Sequence, residues 1–326
     1  MGTALADDIQ KANARLGVGV NFGNALDAPR EGEWGVVLEE EFFDLAKEAG
    51  FESIRLPVRW TTHAQAEVPY TIDPDFFERV GWAVDQATRR GLNIIIDGHH
   101  QTEFNENPEG QLDRMEAIWR QVAGRYRDCG QNVYFELHNE PHGRLDSVAW
   151  NAAIPKLLAA VRETNPDRPI IIGPVDYNGI SALETLELPA GDRHLIVTVH
   201  FYDPFHFTHQ GAEWIEGSPE WIGKEWEGTD EERAFITARL ERAADWGRAK
   251  GRPIFLGEFG AYSKADEASR VRWTRYVAEE AARLKMSTAY WEFCAGYGLY
   301  DAEKETWRDD LKAAVLGNAK GSPPSK

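Results

Sequence analysis

GLNIIIDGHHQTEFNENPEGQLDRMEAIWRQVAGRYRDCGQNVYFELHNEP, residues 91–141, holds one complete structural repeat. The run LNIIIDGHH (92–100) is short, β-branched and apolar, and it ends on polar residues. A charged amphipathic stretch over 112–127 follows, then Gly130, then a second run, VYFELHNE (133–140), again ending polar. Apolar continuity rather than alternation suits strands buried on both faces, as in a parallel sheet covered by helices.

The same unit recurs in both directions. Further runs are VGVNFG (18–23), SIRLPV (53–58), PIIIGPV (169–175), LIVTVHFY (195–202), PIFLGEF (253–259) and TAYWEF (288–293). The spacing predicts helices near 38–49, 74–90, 112–127, 147–164, 181–186, 230–250, 266–285 and 305–316. Gly50, Gly91, Gly130 and Gly251 stand before the next strand, where left-handed helix caps are expected. Eight strand-like runs alternating with eight helical segments predict an α/β fold, a (β/α)8 TIM barrel, as one catalytic domain over 1–326. The barrel is expected over about 15–316, with the small, polar tail 317–326 frayed. A doubly wound sheet is the structural competitor, and the count of eight favours closure.

Composition narrows the function. The 326 residues carry 36 Lys+Arg against 54 Asp+Glu, a formal charge of −18. Such a surface repels nucleic acid and anionic membrane, so neither is expected as a partner. No apolar run reaches membrane-spanning length. Residues 1–16, MGTALADDIQKANARL, lack the basic start and apolar run of a signal peptide, so the expectation is a cytoplasmic chain or one whose leader has been removed. Cys129 and Cys294 make no disulfide framework. The 12 Trp, 10 Tyr and 15 Phe are more aromatic surface than a core usually asks for.

Unusual polar residues gather at the C-terminal ends of the runs, where barrel chemistry takes place. They are Asn21 and Asn24, Arg55, His99 and His100, Asn139 and Glu140, His200 and Tyr202, Glu258, and Trp291 with Glu292. Pro141 is expected to hold Glu140 in extended backbone, and Glu258 sits among apolar neighbours, where a carboxylate needs a partner or a raised pKa. The His99-His100 pair is not the His-x-His of a one-faced metal site, and HExxH and Cys-x-x-Cys are absent, so no metal is expected. Adjacent strand residues face opposite ways, so one of the pair enters the site unless the strand has already ended. No nucleotide-binding glycine motif occurs.

Barrel geometry relates Glu140, after run four, to Glu258, on run seven. A radius of roughly 8 Å gives a chord of roughly 14 Å between positions three strands apart. Two inward glutamates then approach to roughly 6 Å, near the ~5–5.5 Å of retaining glycosidases and below most of the ~6.5–9.5 Å of inverting ones. Such a pair needs one carboxylate ionised and the other protonated at the same moment, a division that hydrogen-bond donors beside the first and a charge beside the second would set. The segment 203–228, with Phe205, Phe207, Trp214, Trp221 and Trp226, reads as an aromatic substrate wall, two of the five touching sugar and Trp214 first. Asn24 and Asp27 are candidates for hydroxyl contacts.

The motifs NFGNALDAP (21–29), GFESIRLPVRW (50–60), the HH pair, ELHNEPHG (136–143), VTVHFYDPF (197–205), IFLGEFGAY (254–262) and AYWEF (289–293) resemble those of glycoside hydrolase family 5, in clan A of the glycosidases, over about residues 15–316. THQGAEW (208–214) and EFGAY are similar to segments of thermophile endoglucanases of that family that also act on mannans. The resemblance implies Glu140 as acid/base and Glu258 as nucleophile. It implies that Arg55 and Tyr202 hold the nucleophile and lower its pKa, that the neighbouring carboxylate raises that of Glu140, and that His99, Asn139, His200 and Trp291 line the subsite of the reacting sugar, with Asn139 bonding its 2-hydroxyl. Asp97-Gly98 departs from the family pattern, which bears on the register of run three and on the part His100 plays in substrate binding.

The expected function is thus a retaining endo-β-1,4-glucanase acting on β-linked poly- or oligosaccharide as a monomer, with no cofactor. A mannanase or dual enzyme is the alternative. A non-catalytic carbohydrate-binding barrel and a metal-dependent hydrolase are the rivals from other classes.

Overall fold

The computed structural model describes residues 2–317, and side chains from Ile9 onward. Residues 318–326, most of the tail expected to fray, lie outside the described part. Eight parallel strands close into a barrel in sequence order: β1 Val18–Asn21, β2 Ser53–Val58, β3 Asn93–Gly98, β4 Val133–Glu136, β5 Ile170–Ile172, β6 Leu195–Phe201, β7 Ile254–Phe259 and β8 Ser287–Tyr290, with β8 pairing back onto β1. The doubly wound alternative is thereby excluded. A small hairpin, β9 Tyr300–Asp301 with β10 Thr306–Trp307, lies beyond the last strand.

Helices Glu40–Ala49, Pro74–Arg89, Pro108–Arg125, Ser147–Arg162, Asp230–Lys250, Glu267–Arg283 and Asp309–Leu316 occupy seven of the eight expected places. The eighth, between β5 and β6, is a short 3-10 turn, Ile180–Thr185, rather than an α-helix. Starts are set by side chains that accept from otherwise unpaired backbone N–H groups: Asp73, Asp146 and Asp266, and Thr229 in a capping box with Glu232. Gly50 and Gly251 are left-handed C-caps at φ 104 and 66, as expected. Gly130 is not, because its helix has already ended at Arg125.

Two apolar layers result. Outward residues such as Ile94, Ile96, Val197 and Leu256 pack against the helices. Inward residues Ile95, Tyr134, Ile171, Ile196, Phe255 and Ala289 fill the lower axis and meet Ile9, Ala12 and Leu16 of an N-terminal helix, Gly2–Leu16. That helix was absent from the expected set. It closes the floor, with Tyr134 Oη donating to the Ala12 carbonyl at 2.8 Å and Asn13 Nδ2 to the Ile254 carbonyl at 3.1 Å. Trp119 and Trp150 donate from the helix layer to the carbonyls of Leu137 and Gly173 at 3.0 and 2.9 Å. These bonds pin the chain as it leaves β4 and β5, so the loops carrying the chemistry start from fixed points.

Candidate active site

Above the apolar floor the axis turns polar around one guanidinium. Arg55, fully buried on β2, donates Nε and Nη2 to both oxygens of Glu136 at 2.8 and 2.9 Å. Its Nη1 donates to Glu258 Oε1 at 2.7 Å and Asn21 Oδ1 at 2.9 Å, and its Nη2 to Asn139 Oδ1 at 2.7 Å. Asp97 Oδ2 lies 3.0 Å from the same Nη2. A buried cation is tolerable only when paired and hydrogen-bonded in full. Here three carboxylates share one positive charge, and burial lifts Asp97 to about 7 and raises Glu136 as well. Sequence reasoning missed Glu136 and the place of Asp97. The available signal was Arg55 itself, which inside an apolar run requires more than one acidic partner.

Glu258 reaches the axis because of a bulge. Val199 pairs with Leu256 but His200 pairs with Glu258, so Gly257 is the extra residue on β7. Leu256 packs outward, and without the inserted residue Glu258 would share its side of the sheet. A Cβ on Gly257 would lie 2.4 Å from Thr198 Oγ1, so glycine is required where the bulge presses on β6. Besides Arg55, Glu258 accepts from Tyr202 Oη at 2.8 Å through Oε2. Burial, with the neighbouring Glu140 carboxylate adding to it, outweighs the lowering by His200, Arg55 and Tyr202, and the net position is raised to about 6.

Glu140 stands four residues past the end of β4, on the loop rather than the strand. Its φ is 52, left-handed, so the extended geometry expected before Pro141 is not adopted. The loop is held instead by backbone bonds, Asn139 N–H to the Gly98 carbonyl at 2.9 Å among them. Glu140 Oε1 meets His200 Nδ1 at 2.7 Å, and that nitrogen also lies 3.6 Å from Glu258 Oε2. One oxygen of each glutamate and a nitrogen of His200 fall within 4.8 Å of one another. Burial lifts Glu140 to about 7, and of its acidic neighbours Glu136, not Glu258, adds to the rise. Its side chain keeps 26% of its surface open to the cleft, against 6% for Glu258. His200 is pushed down to about 4 by burial and is neutral.

The remaining expected residues gather on the two sides of this pair. His99 Nδ1 meets Asp97 Oδ2 at 2.6 Å, and its Nε2 lies 3.3 Å from Asn139 Nδ2. The ring of Trp291 stacks 5.5 Å from that of His99. β3 has ended at Gly98, so His100, at φ 48, also turns to the cleft, edge-on to Trp34 at 5.3 Å. Trp34 was not anticipated. Asp27 is fully buried; Oδ1 accepts from the Ala25 N–H at 2.9 Å, and Oδ2 has no partner but lies 3.9 Å from His100 Nε2. Burial lifts its pKa to about 7. Asn24 turns the same loop at φ 64. Glu292 is structural: its carboxylate accepts from the N–H groups of Cys294, Ala295 and Tyr297 at 2.8–3.1 Å.

On the other side, a cleft of about 640 Å3 runs past Glu140, His142, Tyr177, His200, Tyr202, Phe205 and Trp214. Of the five wall aromatics, Phe207 and Trp226 are core, whereas Trp214 is 60% exposed and Phe205 also faces out. Tyr262 and Tyr297 brace the Trp214 ring at 5.1 and 6.4 Å. Two groups have metal-like spacing among the described residues: Asp27 with His99 and His100, and Glu140 with His200 and Glu258. In the second, both oxygens of Glu258 are already bonded and Arg55 supplies the positive charge.

The site is thus a carboxylate pair at the C-terminal mouth of a TIM barrel, one member held by Arg55 and Tyr202. Residues 19–296 match the model of the cellulase family, glycosyl hydrolase family 5. Endoglucanase H of Acetivibrio thermocellus is 35% identical over 278 residues, covering 85% of this chain and 29% of that protein. Endoglucanase B of Clostridium cellulovorans is 26% identical over 91% of this chain and 72% of its own length. The chain spans about a third of the length of the curated relatives that it matches first, 29% and 35%. Cel5A of Thermotoga maritima, in crystal structures with mannotriose and with cellobiose, superposes with a TM-score of 0.93 at 45% identity, over 94% of this chain and all of that one. The chain belongs to the cellulase family, glycosyl hydrolase family 5.

Proposed function

We propose that the chain is a retaining endo-β-1,4-glucanase working by double displacement, with Glu258 as nucleophile and Glu140 as acid/base. The observation that carries this reading is the approach of the two carboxylates to within 4.8 Å at the barrel mouth, the separation that suits direct attack rather than an intervening water. The asymmetry of the pair supports the division of roles. Glu258 accepts from Arg55 and Tyr202 on its two oxygens, so it is the group that stands bare. Glu140 is raised by burial and opens onto the cleft, so it holds the proton and meets the leaving group.

In the first step a Glu258 oxygen bonds to the anomeric carbon as the glycosidic C–O bond breaks, and the proton of Glu140 passes to the departing oxygen. Glu258 is then an uncharged ester. Glu140, now ionised, takes a proton from water as that water attacks the same carbon, which releases Glu258 as carboxylate and restores Glu140 as acid. Arg55 stabilises the carboxylate form of Glu258 at both ends of the cycle. Asn139, anchored by Arg55 and His99, is the candidate partner of the sugar 2-hydroxyl. Trp291 and Trp34 on one side, and Trp214 on the other, offer flat apolar faces to successive pyranose rings.

Glucan is the substrate class favoured by the relatives' names, and mannan is the comparison to run beside it. The test is hydrolysis of a soluble cellulose derivative, following viscosity and reducing ends together. Early loss of viscosity at few new ends, absent in Glu258→Gln, is expected. No activity on any β-1,4-glucan would overturn the assignment.

A further inference from the structure

The loop after β5 contains a buried amide that the chemistry above leaves without a task. Asp176, Tyr177 and Asn178 have φ of 56, 60 and 56, three successive left-handed residues that are not glycine. Asn178 is fully buried. Its Nδ2 lies 3.2 Å from His200 Nε2, while its Oδ1 is buried without a partner. The amide fits because residue 173 is glycine: a Cβ there would lie 2.0 Å from Asn178 Oδ1. A strained backbone and an unpaired carbonyl oxygen are both costly. An apolar side chain would fill the slot with less penalty, so the NH2 group is what the arrangement secures.

The other face of the imidazole shows what it secures. His200 Nδ1 faces two carboxylates, Glu140 Oε1 at 2.7 Å and Glu258 Oε2 at 3.6 Å. A neutral imidazole carries one N–H, and the nitrogen opposite it bears a lone pair. Two acceptors on the Nδ1 side call for the hydrogen there, which leaves Nε2 needing a donor. Asn178 Nδ2 is that donor.

We propose that Asn178 is a positioning residue that locks His200 as the Nδ1–H tautomer, so that His200 donates to Glu140 Oε1 and the transferable proton of Glu140 is confined to Oε2. This rests on the reading of Glu140 as acid/base. With Oε1 serving only as acceptor, the carboxylic proton stays on the oxygen that delivers it to the glycosidic oxygen. In the opposite tautomer a bare Nδ1 accepts the Glu140 proton and withholds it from the leaving group.

The test uses Asn178→Gly, which removes the amide and suits a positive φ. In 15N NMR of the histidine-labelled protein, wild-type His200 is expected as Nδ1–H, with the Nε2–H form gaining population in the variant. The variant should lose about tenfold in kcat/KM on cellotetraose, the scale of one net hydrogen bond. It should lose less than about twofold on 2,4-dinitrophenyl β-cellobioside, whose leaving group needs no proton, since acid catalysis is absent from that step. Glu140→Ala, measured alongside, should show the same split more strongly. Equal losses on both substrates in Asn178→Gly, or no loss on either, would overturn the proposal. So would a wild-type His200 found as Nε2–H, a result that stands even if the variant does not fold. Absence of the split in Glu140→Ala would instead overturn the acid/base reading.

Discussion

Replacing Tyr202 by Phe tests how the proton is shared between the two glutamates. The change deletes the hydroxyl that donates to Glu258 Oε2 at 2.8 Å and leaves that oxygen with only His200 Nδ1, at 3.6 Å. A hydrogen bond to a charged acceptor is worth ~1.5–3 kcal/mol, and one pKa unit corresponds to 1.36 kcal/mol, so Glu258 should rise by about 1–2 units. Burial raises both glutamates above the ordinary carboxylate range, and the donors on Glu258 favour the productive form, Glu258 bare and Glu140 protonated. A rise of about 1–2 units at Glu258 shifts the ratio of that form to its opposite by about 10- to 100-fold, so kcat/KM at the optimum falls by up to about that factor from ionisation alone. A group with a raised pKa needs higher pH to ionise, so the acid limb of kcat/KM moves up by about one unit. The assay is kcat/KM on cellotetraose from pH 4 to 9. An acid limb that stays in place, or moves down, would refute the claim that this hydroxyl holds Glu258 in its charged form.

Three further outcomes follow from named contacts. Trp214→Ala removes an exposed face braced by Tyr262 and Tyr297; KM on polymer should rise about tenfold, the scale of a partly buried aromatic ring, with kcat within about twofold, whereas a fall in kcat alone would place the ring outside substrate binding. Gly257→Ala puts a Cβ 2.4 Å from Thr198 Oγ1; activity should fall at least about 100-fold as Glu258 is displaced, Thr198→Ala in the same chain should restore part of it, and wild-type rates in the single variant would contradict the bulge argument. Asp27→Asn concerns a buried carboxyl whose pKa is raised from 3.8 to about 7. Ionising it in the folded state is penalised, so the wild type loses stability as pH climbs from about 4 to 7 and the variant does not. The variant should gain about 4 kcal/mol over wild type at pH 8 and little at pH 4, read from thermal unfolding at both pH values; an equal difference at both would remove burial as the cause.

The barrel was legible because strands covered on both faces must be apolar throughout, which makes IIID, IRLPV and LIVTV stand out from helices with a polar side. The polar residues at their C-terminal ends were legible for a related reason, since nothing in an apolar core explains them. Legibility failed where the backbone departs from local rules. Pro141 suggests an extended Glu140, yet tertiary bonds hold it at φ 52. The bulge at Gly257 carries no signature beyond a glycine between Leu256 and Glu258, and only the pairing to β6 reveals that it reverses the direction of Glu258. Glu136 is hidden among Tyr134, Phe135 and Leu137, and its importance depends on a guanidinium two strands away. Asn178 lies before a glycine, which suggests a turn, but not three left-handed residues aiming an amide at His200.

Retention or inversion is decided by the anomeric configuration of the first product, followed by 1H NMR during hydrolysis of cellotetraose before mutarotation sets in. The facing oxygens of the two carboxylates lie within 4.8 Å, which matches the spacing for direct attack rather than the ~6.5–9.5 Å that admits a water, so the β-anomer is predicted to appear first and the α-anomer only later. Initial release of the α-anomer would mean inversion, and would contradict a covalent bond between Glu258 and the sugar.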